Sequence, residues 1–187
     1  MSSVSLLAAV AAGICCAGVS AGPLPGVKTR ADRAAWRSLL RWPASWEHSW
    51  RQTGVPGAGI EKWPVRGGVH VVAVECFEGP YQGVSIVYLV RSRARVTGPL
   101  RFRIYADAGN GVPTARTRTG VAGVLTFHPR SGRLTVLDKA RGLGDCGIYS
   151  VFRLGKKSFV PVEARAKTAC DGKPPFDPGR WPKLPLP

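Results

Sequence analysis

From Gly67 onward, apolar and polar residues alternate with a period of two in seven stretches. They are GGVHVVAVECF (67–77), VSIVYLVRS (84–92), LRFRIYADA (100–108), GVLTFHP (123–129), RLTVLDKA (133–140), IYSVFRL (148–154) and SFVPVEARA (158–166). A period of two is the signature of a half-buried strand. LRFRIY shows it most cleanly: Leu100, Phe102 and Ile104 point one way, and Arg101, Arg103 and Tyr105 the other. That strand has one basic, solvated face. HPRSGRL reads as a tight turn in which Gly132 supplies the positive φ. YADAGNGVPTARTRTG (105–120) reads as a longer polar loop. Strands at this spacing, with no helical pattern between them, predict a mainly β fold: an antiparallel sandwich or a curved, barrel-like sheet.

Ahead of the strands the period changes. ADRAAWRSLLRW (31–42) places Trp36, Leu39 and Leu40 at helical spacing. Thr29 suits the N-cap, Asp32 falls in the first turn, and Pro43 stops the helix. ASWEHSWRQTG (44–54) predicts a second short helix, ended by Gly54 and Pro56. The helices are expected to pack on the sheet or close one end. DGKPPFDPGRWPKLPLP (171–187) holds six prolines and should run extended over the surface.

Residues 1–21 change the picture of compartment. They carry no charged side chain, run apolar from Leu6 to about Val19, and end in Val19-Ser20-Ala21. The run is too short for a bilayer, where about 20 apolar residues are needed. It reads as a secretory signal peptide cut after Ala21, leaving no transmembrane span. The chain thus divides into a signal peptide (1–21), an N-terminal helical segment packed on the main domain (22–66), an antiparallel β domain (67–170) and a Pro-rich tail (171–187). A periplasmic or secreted location follows.

All 27 basic and 11 acidic residues lie beyond the signal, so the formal net charge of +16 belongs to the folded part. Arg outnumbers Lys by more than two to one. Such a surface attracts anions. In an envelope these are lipid headgroups, acidic glycans or acidic proteins; nucleic acid fits the charge but not the compartment. The plainer reading is a solvated basic surface, since the charges are spread along the chain and not massed in one tract. Trp36-Arg37, Arg41-Trp42, Trp50-Arg51 and Lys62-Trp63 interleave aromatics with cations, which suits stacking on a ligand or packing against the sheet end.

Three cysteines remain after processing: Cys76, Cys146 and Cys170. Cys146 and Cys170 bracket the hairpin IYSVFRL–GKK–SFVPVEARA, whose pairing brings its ends together. The preferred reading is a Cys146–Cys170 disulfide worth about 3 kcal/mol, with pairings through Cys76, or none, as alternatives. Cys76 lies in a strand pattern and reads as a small buried hydrophobe, a free thiol. No Cys-x-x-Cys or His-x-x-x-His spacing points to a metal. The glycines of DKARGLGD (138–145) lack the spacing and the Lys-Ser/Thr of a phosphate loop, so no cofactor is expected. No catalytic residue stands out.

Around Cys146, the motif RGLGDCG (141–147) offers Arg141 and Asp145 as candidate polar anchors for a ligand. They suit equally the parts of a turn locked by the disulfide, with Arg141 pairing Asp145.

GRLTVLDKARGLGDCGIYSVFRL, followed by FVPVEARAKTACDG and preceded by YQGVSIVYLV, resembles a bacterial exported family known as domain of unknown function 1176. LLRWPASWEHSW resembles that family's N-terminal segment more loosely. The resemblance implies an envelope-exposed, disulfide-containing domain and no particular activity. It also implies a cysteine near Ser45 and Trp46 as partner to the first-strand cysteine; that cysteine is lacking here, which leaves Cys76 unpaired. The reading as a whole is a non-catalytic binding module for an anionic envelope partner. A hydrolase of an envelope polymer and a structural accessory subunit are the competitors.

Overall fold

A computed structural model describes residues 23–53, 57–78, 82–91, 95–107, 112–156, 158–173 and 176–187. The expected signal peptide lies outside the described residues. Helix α1 (Arg30–Leu40) starts at Thr29 through a capping box. The Thr29 hydroxyl accepts from the Asp32 N–H at 3.0 Å, and the Asp32 carboxylate accepts from the Thr29 N–H at 2.9 Å. The helix ends at Arg41, whose backbone is left-handed with φ 58°. Helix α2 (Ala44–Thr53) follows Pro43 directly.

The strands form three antiparallel groups. The first joins β1 (Ile60–Val65), β2 (Val69–Glu78), β3 (Gly83–Arg91) and β4 (Arg95–Val96) in that order. The second is the ribbon β5 (Phe102–Asp107) and β6 (Pro113–Arg118). Strand β7 (Gly120–Ala122) then returns to pair with β3. The third runs β11 (Phe159–Lys167), β10 (Gly147–Leu154), β9 (Arg133–Lys139), β8 (Val124–His128) across the sheet. The molecule is mainly β, as the periodicity predicts, and its sheets stay open: it is a sandwich and not a closed barrel.

The first sheet is covered on both faces. Val71 and Ala73 of β2 and Val87 and Leu89 of β3 face the other strands, meeting Phe102, Phe127, Leu134, Phe152 and Phe159. Phe102 sits edge-on to Phe152, with centroids 5.2 Å apart, and stacks on Phe159 at 5.6 Å. Burying each such ring contributes about 1.5–3 kcal/mol. The intervening residues, Val72, Val74, Cys76, Ile86, Tyr88 and Val90, face Trp36, Leu40 and Trp42 of the helical layer. This explains why VHVVAV and VSIVYLV are nearly continuously apolar, whereas LRFRIY alternates.

Four strands depart from the expectation. β1 and the two-residue β4 were not separable as periodic runs, and β1 lies inside the segment expected to be helical. β6 lies in the region expected to be a polar loop, and β7 begins at that region's last residue, Gly120. Pro64 in β1 is tolerated because β1 is an edge strand. The exposed Arg116, Thr117 and Arg118 of β6 hide its strand character behind a loop-like composition. Gly132 takes φ 64° in the β8–β9 turn, as expected. The tail runs over the surface with one 3-10 turn at Pro178–Arg180, but it also docks. Leu184 N–H donates to Ala164 O at 2.9 Å, and Ala166 N–H to Pro182 O at 3.0 Å, alongside β11. Trp181 is buried there.

Candidate functional site

The motif before β10 folds into a closed structural unit. Cys146 and Cys170 are joined, with Cα atoms 5.0 Å apart and a sequence separation of 24. Asp145 is 0% exposed. Arg141 grips it with two bonds, Nε to Oδ1 at 2.8 Å and Nη2 to Oδ2 at 2.7 Å, and the Gly172 N–H donates to Oδ2 at 2.7 Å. The Arg141 guanidinium, above all, holds the Asp145 carboxyl well below the usual carboxylate range. Gly147 is required: a Cβ would lie 2.1 Å from Asp138 O. Arg141 and Asp145 therefore meet each other, and their pairing ties the residue beside Cys146 to the backbone two residues beyond Cys170.

Cys76 is free and lies in the core under the helices, its Sγ 3.3 Å from Val74 O. Burial pushes its thiol up to about 12, so it carries no thiolate at neutral pH. Among the described residues, no three His, Cys, Asp or Glu side chains gather as a metal site. None of the described helices is long and apolar enough to cross a membrane.

A different concentration of charge appears between α1 and α2. A cleft of about 780 Å³ is lined by Arg30, Arg33, Arg37, Arg41 and Arg51, with Trp42, Trp50 and Glu47. Arg30, Arg37 and Arg41 lie at i, i+7 and i+11, one stripe of α1 running onto its cap. Arg51 comes from the last turn of α2. Arg33, only 2% exposed, forms the floor. Its Nε donates to Glu47 Oε1 at 3.0 Å. Its Nη1 donates to the Ala58 carbonyl at 2.8 Å and to that of Glu75 at 3.0 Å. The guanidinium stacks 4.4 Å from the Trp50 ring centroid and 5.4 Å from that of Trp42. Glu47 Oε1 also accepts from Trp42 Nε1 at 2.8 Å.

The Trp–Arg interleaving thus divides its work. Trp36, Trp42 and Trp50 are buried packing residues, while Arg37, Arg41 and Arg51 beside them collect at one mouth. Arg33 and Arg30 were not among the expected site residues. The signal that finds them is the arginine spacing 30–33–37–41, a helical stripe of one charge.

The family model described as "Protein of unknown function (DUF1176)" matches residues 55–185. The protein described as "Uncharacterized protein YpfG" of Escherichia coli (strain K12) is 30% identical over 146 residues, 73% of this chain and 39% of that protein. The chain thus spans well under half the length of that relative. No solved structure matches. The arginine cleft, built from residues 30–51, lies ahead of the segment matched by the family model. The disulfide-locked motif lies within it, and with that match covering most of the chain, the protein belongs to the DUF1176 family.

Proposed function

We propose that this is an exported, non-catalytic binding domain whose anionic envelope partner — a lipid headgroup, an acidic glycan or an acidic protein — docks in the cleft between α1 and α2. The observation that carries this reading is the grouping of five arginines against one acid in a single concavity. Arg outperforms Lys in such a place because its planar fork matches oxyanions bidentately. Elsewhere the charge is more dispersed: Arg101, Arg103, Arg116 and Arg118 stand exposed on the β5–β6 ribbon, and only Arg101 and Arg118 line the cavity of about 560 Å³ beside it.

Retention on heparin and on anionic vesicles, measured against salt, tests the reading. Arg37→Glu with Arg41→Glu should lower the eluting salt much more than Arg101→Glu with Arg103→Glu, which changes net charge equally. Equal losses would assign binding to overall charge and remove the cleft from the account. N-terminal sequencing of protein recovered from the cell envelope tests export; a chain beginning at Gly22 is expected, and an intact Met1 on a cytosolic product would overturn it.

A further inference from the structure

Every donor of Arg33 has a partner but those on Nη2. That nitrogen is buried and donates no bond to protein, although Nε and Nη1 donate to a carboxylate and two carbonyls. A buried guanidinium donor left unmade is costly, and native proteins rarely keep one without use. The Trp50 ring against the guanidinium and the single bond from Nε to Glu47 fix its plane. It is therefore not free to turn toward another protein acceptor.

Above this floor stand the rim arginines. Arg30 to Arg41 extends over about 16 Å of helical rise, and Arg51 faces them from α2. Among the described residues none of Arg30, Arg37, Arg41 and Arg51 has an acidic partner. Five arginines less Glu47 leave a formal +4 around the cavity. Donors arriving from the floor and from both walls suit a tetrahedral group with three terminal oxygens. A carboxylate presents two oxygens in one plane and is served by a single fork. The cavity, at about 780 Å³, is far larger than a bare inorganic ion and fits a ligand with an organic body.

Resting on the cleft reading above, we infer that the ligand is a phosphomonoester, its terminal phosphate seated among Arg37, Arg41 and Arg51 above the buried Arg33 guanidinium. The body attached to the phosphate is a saccharide or a lipid headgroup, which share this chemistry. Arg41 adds to the case: a non-glycine residue holds a left-handed backbone at the helix cap, where glycine is the usual occupant. Its side chain stands on the cleft wall as a result.

The test is calorimetric titration of the whole chain with glucose 1-phosphate and with glucuronate, a sugar carboxylate, and binding to phosphatidylcholine vesicles carrying phosphatidic acid or, at matched charge, phosphatidylglycerol. Glucose 1-phosphate should bind roughly tenfold or more tightly than glucuronate, the gain expected from an added charge-assisted bond. Its affinity should rise between about pH 5 and about pH 7.5, as a phosphomonoester loses its second proton near pH 6. Around the phosphate, Glu47 is engaged by Arg33 and Trp42, and burial keeps the Cys76 thiol beneath neutral across that range. Binding of phosphatidic acid vesicles in preference to phosphatidylglycerol, without binding of the free sugar phosphate, assigns the body to a lipid and keeps the phosphomonoester.

Equal affinity for the two sugars, or for the two vesicles where only vesicles bind, overturns the phosphate assignment and leaves the anion cleft standing. The charge-reversal pair in the preceding section, if it leaves anion binding intact, overturns the cleft itself. Arg41→Gly guards against trivial unfolding. It frees the left-handed cap of its Cβ and should raise the thermal midpoint while lowering affinity for glucose 1-phosphate or phosphatidic acid roughly tenfold. Undiminished affinity in that variant also overturns the assignment.

Discussion

Two buried charges, Asp145 and Arg33, organise opposite ends of the chain in opposite ways. Asp145 is wholly enclosed, and both its oxygens are taken, by Arg141 and by the Gly172 N–H. The carboxylate is closed to a ligand, so this is a clasp: it aligns the chain segments that the disulfide joins. Arg33 is just as deeply placed, yet one of its nitrogens has no partner and four more arginines crowd the space above it. The lesson is that burial of a charge does not by itself mark a binding site. The count of satisfied donors and acceptors separates the two: it closes the Asp145 carboxylate within the protein and leaves the Arg33 guanidinium one nitrogen short.

The comparison can be strained from both ends. The largest effect should come from Arg33→Met. It strands Glu47 and two carbonyls without their donor and should cost about 3–5 kcal/mol, the range for breaking a buried pair. Urea unfolding followed by tryptophan fluorescence measures it; a loss below about 1 kcal/mol would mean that Arg33 is no keystone of the helical layer. Cys170→Ser comes next, at about 3 kcal/mol for the loop it opens. It should leave anion affinity at the cleft unchanged, and a parallel fall in affinity would show that the two ends are coupled.

Acid should then act unequally. Because the Asp145 carboxyl lies below its ordinary value of 3.8 in the folded state, its contribution is complete above that value. It drains away as the pH falls below 3.8 toward the depressed folded value. Asp171 and Asp32 shift in the same direction. The thermal midpoint should therefore drop as the pH falls from about 4 to about 2. The drop should be smaller in Asp145→Asn, which starts lower at neutral pH. An unchanged pH profile in that variant would deny Asp145 its place in the clasp. The smallest effect is Thr29→Ala, which removes the capping box of α1 and should cost about 1 kcal/mol in the same urea experiment.

Much of the β architecture is legible from a period of two, and its gaps have physical causes. β1 is obscured by Pro64, which ordinarily argues against a strand and is admissible only at an edge that no local pattern reveals. β6 is obscured because Arg116, Thr117 and Arg118 bury almost nothing, so no alternation survives. The disulfide is readable because a hairpin brings its own ends together, a local fact. The cleft is less readable. The stripe 30–33–37–41 exists in the sequence, but it takes tertiary packing to sink Arg33 under Trp42 and Trp50 while its neighbours stay at the mouth. Arg141 and Asp145 show the reverse: a polar pair between glycines looks like a ligand loop until their mutual grip is seen. Export and the identity of the anion rest on proposals, because neither is written in packing.

Residues 182–184 lie along the outer side of β11, and their backbone groups occupy bonds that a neighbouring molecule's strand would otherwise take. The least regular part of the chain thus acts as a guard against polymerisation. Clipping near Asp177 would bare the Ala164–Ala166 stretch of β11's outer edge and invite sheet-to-sheet growth into fibrils, even with the arginine cleft and the clasp both intact.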